Sequence, residues 1–412
     1  MKMEDLKLSP EVTRAVKELG FAEMTPIQEK CIPEIRQGKD VVGQSSTGSG
    51  KTFAFGLPIL EKIEPGKGIQ ALILTPTREL CVQVTDAIST FGKYTHAKAV
   101  SVYGGAGIEP QIHALRRADI VVGTPGRIID HIRRGTIRFG SVKILVLDEA
   151  DKMFEMGFIE DVEFIIANVP KERQTMLFSA TIPDEIHRLV DKHLKSPVIV
   201  KTQVRVAKNL LNQFYYDVNS YEKFSLLVHL LKKSPEGLAI VFCATRREVD
   251  VVARNLASQG LRAMAIHGGL SQNRRLDAID ALKNRSVNVL VATDVAARGL
   301  DIKNVSHIYN YDVPKTSDEY IHRIGRTARA GMEGDAVTLL AQRDHDNFRA
   351  ILRDHTIEIQ KMEKPELEMV KFDRPQRFSR ESRYGGEDRR GYRGGGRFGT
   401  RRSSGSSRGR RR

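Results

Sequence analysis

The segment Ser45-Ser46-Thr47-Gly48-Ser49-Gly50-Lys51-Thr52 lies between a short apolar strand and the apolar run Phe53–Leu60. Its glycines let successive backbone N–H groups turn toward one anion, and a helix N-terminus adds positive potential. Lys51 supplies a charge for the β- and γ-phosphates of a nucleoside triphosphate, and the Thr52 hydroxyl suits Mg2+. Ser45 stands where the general pattern has its first glycine. A Gly/Ser-rich turn is the bland alternative, and the order strand, loop, Gly-Lys-Thr, helix argues against it. Further on, Asp148-Glu149-Ala150-Asp151 directly follows the apolar run Ile144–Leu147. Carboxylates at the C-terminal end of a parallel strand face the crevice where ligands bind. One of them would hold Mg2+ and another would orient or deprotonate an attacking water. Taken alone, the cluster could equally cap a helix.

A second group of residues suits sugar–phosphate binding, which calls for hydroxyls, glycine backbone and arginines after strand ends. These are Pro76-Thr77-Arg78-Glu79-Leu80, Gly104-Gly105 and Thr124-Pro125-Gly126-Arg127. Singly, each is an ordinary loop. Ser179-Ala180-Thr181 follows another strand and reads at least as a helix N-cap. In the second half come His267-Gly268-Gly269, Gln272, Arg275, Thr293-Asp294, Arg298 and Asp301, then Arg323, Arg326 and Arg329. Three arginines at three-residue spacing could be a solvated helix face.

These residues need a scaffold that brings strand ends together. In the first half the candidate strands are Val41–Val42, Ala71–Leu74, Ala99–Val102, Ile120–Val122, Ile144–Leu147 and Thr175–Phe178. A second series runs Gln213–Val218, Ala239–Phe242, Ala263–Ile266, Asn288–Val291, His307–Tyr309 and Ala336–Leu340. Short continuous apolar runs separated by helix-length segments predict parallel sheets covered on both faces. The expected architecture is two tandem α/β doubly wound domains, residues 1–202 and 210–360, joined by a polar linker over 203–209. Residues 361–412 read as an Arg/Gly/Ser-rich tail too poor in apolar residues to order itself.

Composition narrows the partners. Of the net charge of +15, residues 371–412 supply +11, from Lys371 and 14 arginines against four acidic residues. A basic tail points to a polyanion such as nucleic acid, or to an acidic membrane surface. No apolar run approaches the roughly 18 residues a membrane span needs. The start Met1-Lys2-Met3-Glu4-Asp5 has no secretory pattern, and the three cysteines match no metal spacing, so a reducing cytoplasm is expected.

Taken in order along residues 3–350, these motifs resemble the DEAD-box ATP-dependent RNA helicases, whose name spells Asp148–Asp151. The resemblance implies two RecA-like domains, ATP and Mg2+ as cofactors, and RNA as partner with little sequence preference. Gly20-Phe21 and Thr25-Pro26-Ile27-Gln28 look like the family's adenine-reading motif, with Gln28 on the adenine edge and Phe21 beside the base. Met3 stands where the family usually has an aromatic, and Ala328 where it often has glycine. By the same resemblance Thr47, Gly48, Ser49 and Gly50 line the phosphates with Lys51 and Thr52, and Asp301 touches the ribose. Asp148 holds Mg2+, Glu149 activates water, and Arg326 and Arg329 are arginine fingers. Asp151, Ser179 and Thr181 couple hydrolysis to strand separation. Thr77, Arg78, Gly105, Thr124, Arg127, Gln272, Thr293 and Arg298 contact RNA. The implied activity is RNA-stimulated ATP hydrolysis driving local, non-processive remodelling of duplexes and ribonucleoproteins, with decay or other ribonucleoprotein assemblies as possible settings. Rival readings are an ATP-gated RNA clamp without turnover, a DNA translocase of the same superfamily, and a membrane-surface protein.

The tail, with Tyr384, Tyr392, Phe378 and Phe398 among its arginines, suits phosphate contact and base stacking. Deleting 372–412 is expected to raise the RNA concentration for half-maximal ATPase and leave the maximal rate nearly unchanged. If about five arginines engage single strands, the salt slope of log affinity loses about 3.5. A titration of ATPase against RNA at several salt concentrations checks both, and a large fall in maximal rate would count against the tether.

Overall fold

Each of the apolar runs becomes a strand in the computed structural model, which describes residues 3–21, 23–45, 48–202, 210–234, 237–297, 305–328 and 333–374. The first half holds β1 (Val41–Gln44), β2 (Ala71–Leu74), β3 (Ala99–Val102), β4 (Ile120–Gly123), β5 (Ile144–Asp148), β6 (Gln174–Ser179) and β7 (Val198–Lys201). They form one sheet in the order β3-β4-β2-β5-β6-β1-β7, and every pairing is parallel. The second half holds β8 (Leu211–Asp217), β9 (Leu238–Phe242), β10 (Ala263–Ile266), β11 (Val289–Ala292), β12 (Val305–Asn310), β13 (Gly334–Leu340) and β14 (Gln360–Met362). Their order is β10-β11-β9-β12-β13-β8-β14, again all parallel.

Side chains alternate across each strand, so a parallel strand covered on both faces must be apolar throughout. In β2, Ala71 and Ile73 enter one core while Leu72 and Leu74 enter the other; β5 divides Ile144 and Val146 from Leu145 and Leu147 in the same way. The second sheet has its own two cores. Two doubly wound RecA-like domains result. No helix among the described residues is long and apolar enough to cross a membrane.

Strand order sets the geometry of the site. β6 lies between β1 and β5, so the loop after β1 and the acidic segment at the end of β5 are two strand spacings apart, about 10 Å. Ser179 ends β6 between them.

β7 and β14, each at one edge of its sheet, are absent from the expected set. β14 alternates nothing apolar and is defined by backbone pairing to β8. It also moves a boundary. Residues 361–373, expected in the tail, stay with the second domain. Leu367, Val370 and Phe372 pack on its core, and the Phe372 ring lies 4.6 Å from that of Phe224. Val370 N–H donates to Ser225 Oγ at 3.1 Å. Asp373 N–H donates to Asn255 Oδ1 at 2.8 Å, and Asn255 Nδ2 returns a bond to Asp373 O at 3.0 Å. The expected linker 203–209 and the tail beyond Arg374 lie outside the described residues.

The deletion that isolates the tail therefore begins after Asp373. Phe372→Ala should lower the stability of the second domain by about 1–2 kcal/mol through lost burial and ring contact. Urea unfolding checks this; no change would mean that the 361–373 segment adds nothing to the domain.

Candidate active site

The loop after β1 is shaped by its glycines. Gly48 and Gly50 have φ of 82° and 90°, a region open to glycine at little cost, and Gly50 caps the helix Lys51–Lys62. Lys51 is buried and its Nζ donates to Ser45 O at 2.9 Å, spanning the loop and centring a positive charge within it. Ser45 N–H in turn donates to Ser179 O at 3.0 Å, fastening the loop to the end of β6. Ser49 Oγ lies 2.7 Å from Ser45 Oγ. Thr52 occupies the second position of the helix; Thr47 lies outside the described residues.

Gln28, expected at an adenine edge, is buried against this loop. Its Oε1 accepts from Thr25 N at 2.9 Å and its Nε2 donates to Gly50 O at 3.2 Å. Phe21 is 41% exposed, with its ring 4.8 Å from Phe53 in the loop's helix, so a ring face stays open beside the loop. Met3 turns inward into the first core.

The acidic segment divides its labour by environment. Asp148 closes β5 fully buried, and burial pushes its carboxyl up to about 7 against the pull of Lys51. Its Oδ1 has no hydrogen-bond partner. A buried carboxylate oxygen left bare needs a cation or a donor. With the Thr52 hydroxyl it makes an oxygen set suited to a hard divalent ion. Among the described residues no group of three His, Cys, Asp or Glu is placed to hold a metal ion by itself. Burial would raise Glu149 too, but Lys152, Lys51 and Arg326 together hold it down at about 2. Glu149 Oε2 meets Lys152 Nζ at 2.7 Å, and both are buried. The pair is held by charge more than by a well-directed hydrogen bond, and burial lowers the lysine in turn.

Asp151 spends its carboxylate on the end of β6. Its Oδ2 accepts from Ala180 N at 3.1 Å, Thr181 N at 2.9 Å and Thr181 Oγ1 at 3.1 Å. Its own N–H donates to Ser179 Oγ at 3.1 Å. Asp151, Ser179 and Thr181 thus form one hydrogen-bonded unit.

The loops after β2, β3 and β4 interlock. Thr77 caps the helix Arg78–Phe91, and its Oγ1 accepts from Leu80 N at 3.3 Å. Arg78 lies so close over Gly105 (φ 83°) that a Cβ there would fall 2.1 Å from its Nη1. Arg127 donates from both Nη atoms to Ala106 O at 3.1 Å, and Thr124 O accepts from Arg127 N at 3.2 Å. Two residues that sequence reasoning missed complete this array. Gln111 Nε2 donates to Tyr103 O at 3.0 Å and Gly107 O at 3.3 Å, while its Oε1 faces buried His131 Nε2 at 3.4 Å. A polar residue on an otherwise apolar helix face was the only signal.

In the second domain Arg323 and Arg326 are buried rather than part of a solvated face. Arg323 is buried and forks onto Asp294 at 2.5 and 2.7 Å, with further bonds to Asn310 Oδ1 and Asp312 O. This ties the Thr293-Asp294 segment to the arginine segment. Arg326 is 4% exposed, and its charge reaches Glu149 of the other domain. Arg275 reaches across as well, to Glu79 Oε2 at 3.0 Å. Thr293 O starts the short helix that follows, accepting from Ala297 N at 3.0 Å. Arg298, Asp301, Arg329 and the Gln272 side chain lie outside the described residues.

Comparison with known proteins agrees with this geometry. A family model described as DEAD/DEAH box helicase matches residues 25–189, and one described as helicase conserved C-terminal domain matches 222–331. The chain is 46% identical over 368 residues to the DEAD-box ATP-dependent RNA helicase CshA of Geobacillus kaustophilus, covering 89% of this chain and 79% of that protein. The CshA of Bacillus subtilis is also 46% identical over 368 residues, 89% and 74% covered. Among solved structures, Saccharomyces cerevisiae Dbp5 bound to RNA and ADP BeF3 superposes with a TM-score of 0.80 at 31% identity, over 88% of this chain and 96% of that one. A DEAD box protein of Methanococcus jannaschii is 42% identical with a TM-score of 0.54, over 88% and 99%.

Gly50→Ala would set a Cβ 2.3 Å from Gln28 Nε2 and force a side chain into a left-handed backbone. We expect ATP binding to weaken tenfold or more, the equivalent of about 1.4 kcal/mol. A fluorescent-nucleotide titration checks it, and unchanged affinity would show that the Gln28 contact is dispensable.

Proposed function

The chain belongs to the DEAD-box family and is an ATP-dependent RNA helicase, and on that premise we propose a mechanism in which RNA stimulates hydrolysis by closing the two domains on one ATP. The observation that carries this reading is the split of the reacting groups. Glu149 comes from the first domain, and the Arg326 charge acting on it comes from the second. Hydrolysis then requires both domains at the cleft. RNA-contact residues also come from both halves, so ATP and RNA each favour closure and each other's binding.

In this mechanism the loop Thr47–Gly50 and Lys51 bind the phosphates, while Phe21 and Gln28 act at the adenine end. Thr52 and Asp148 would hold Mg2+, which supplies charge neutralisation on the phosphate oxygens when bound. Glu149 orients the attacking water and accepts its proton. Arg326 and Arg329 stabilise charge on the transferring phosphoryl group, a contribution of about 10³–10⁵ in rate for such arginines. Asp301 positions the ribose. The bond set between Asp151 and Ser179-Ala180-Thr181 carries the state of the phosphate site to the β6 loop, where hydrolysis is coupled to strand separation.

Thr77, Arg78, Gly105, Thr124 and Arg127, with Gln272, Thr293 and Arg298, would hold one strand by sugar and phosphate. Such contacts read little sequence, and the 2′-hydroxyls select RNA over DNA. Release of the complement is then local and non-processive. Ribonucleoprotein or decay assemblies in the cytoplasm are the proposed setting.

The test is ATP hydrolysis by the purified full chain with and without single-stranded RNA. Saturating RNA should raise the rate at least tenfold, matched DNA should not, and Glu149→Gln should lower the stimulated rate about 10²–10⁴-fold. Equal turnover without RNA would break the proposed coupling.

A further inference from the structure

We infer that Lys152 is a positioning residue for hydrolysis: its buried ammonium takes one oxygen of Glu149 and thereby presents the other to the attacking water. The inference rests on the reading of Glu149 as the group that activates water. It starts from an anomaly of burial. Lysine is almost never fully buried unless paired, because desolvating the ammonium is costly. Lys152 is 2% exposed, and its Nζ forms an ion pair with Glu149 Oε2 at 2.7 Å while making no well-directed hydrogen bond. Glu149 is the carboxylate in contact with this buried charge, and Asp151 also acts on it.

The backbone makes the contact rigid. Glu149 caps the helix Ala150–Glu155 with φ 53°, and Lys152 sits three residues on, in the first turn. Lys152 N–H donates to Glu149 O at 3.0 Å and to Asp151 Oδ1 at 3.0 Å. Asp151 is itself held by Ala180 and Thr181. The Lys152 backbone is therefore fixed to the same unit that meets the end of β6. A base oriented by a third group is the general arrangement for an activated nucleophile, here with a cation fixing a carboxylate. Pairing Oε2 removes one of the two ways the carboxylate could face the water.

A purely structural ion pair makes a different forecast, and a double-mutant cycle separates the two. Wild type, Lys152→Met, Glu149→Gln and the double variant are compared as full chains with saturating single-stranded RNA. Misplacing a reacting group by about 1 Å costs on the order of 10²-fold, so Lys152→Met should lower kcat about 10- to 100-fold. The KM for ATP and the half-saturating RNA concentration should stay within about twofold, since Lys51 and the RNA loops are untouched. In the Glu149→Gln background the same substitution should change the residual kcat by less than about twofold. That double variant also removes both buried charges together, which a core tolerates better than removing one. If Lys152→Met melts well below wild type, Lys152→Gln, which keeps a donor without the charge, carries the same comparison.

Unchanged kcat in Lys152→Met, or an equal loss repeated in the Glu149→Gln background, would overturn the positioning role. Full activity of Glu149→Gln alone would instead remove the underlying reading of Glu149.

Discussion

Every strand pairing in both sheets is parallel, so each strand delivers its C-terminal end to the same edge of its sheet. That constraint explains why residues as distant in sequence as Lys51, Asp148 and Ser179 share one site. The chain must pass from β1 across to β2 and return through β5 and β6, which leaves β6 between the phosphate loop and the acidic segment. Ser179 then bonds both ways: its carbonyl takes Ser45 N–H, and its hydroxyl takes Asp151 N–H. A change at the phosphates has a path of two hydrogen bonds to the acidic segment, with no side chain longer than serine in between.

Burial sets the electrostatics of that edge. Asp148 and Glu149 are neighbours in sequence and equally buried, yet one is pushed up and the other held down. The difference is the company each keeps. Glu149 has Lys152 in contact and Arg326 across the cleft, while Asp148 keeps a bare oxygen. Unequal neighbours thus push two adjacent buried carboxyls in opposite directions.

The sequence displayed the chemistry better than its support. Glycines, lysine, carboxylates and arginines at fixed spacing were legible because phosphate and hydrolytic chemistry restrict residue type tightly. The central strands were legible because burial on both faces leaves continuous apolar runs. Gln111, His131 and Lys152 were not, since a polar side chain paired inside a domain looks in sequence like one facing water. β14 and the segment to Asp373 escaped notice for the opposite reason: they are held by backbone pairing and a few spaced apolar residues, which composition averages away. Gln28 shows a subtler limit. Its residue type fits an adenine edge, but its folded position also makes it a brace on Gly50, a role no spacing reveals.

Backbone strain marks the cleft from both sides. Of the six described non-glycine residues with positive φ, Glu149 belongs to one domain's reacting segment and Ala328 to the other's arginine segment. The rest, Lys7, His96, Ser196 and Arg285, sit outside helices and strands. A left-handed conformation costs an L-residue roughly 1–2 kcal/mol, so surrounding contacts must hold it. For Glu149 these are the Lys152 pair and the helix it caps. For Ala328 the neighbouring Thr327 hydroxyl donates to Val305 O at 2.5 Å, and Gly334 packs so closely that a Cβ would lie 2.8 Å from Ala328 N. Family resemblance often puts glycine at position 328, where the strain would vanish. Alanine keeps it, so the contacts of Thr327 and Gly334 must hold that backbone in place.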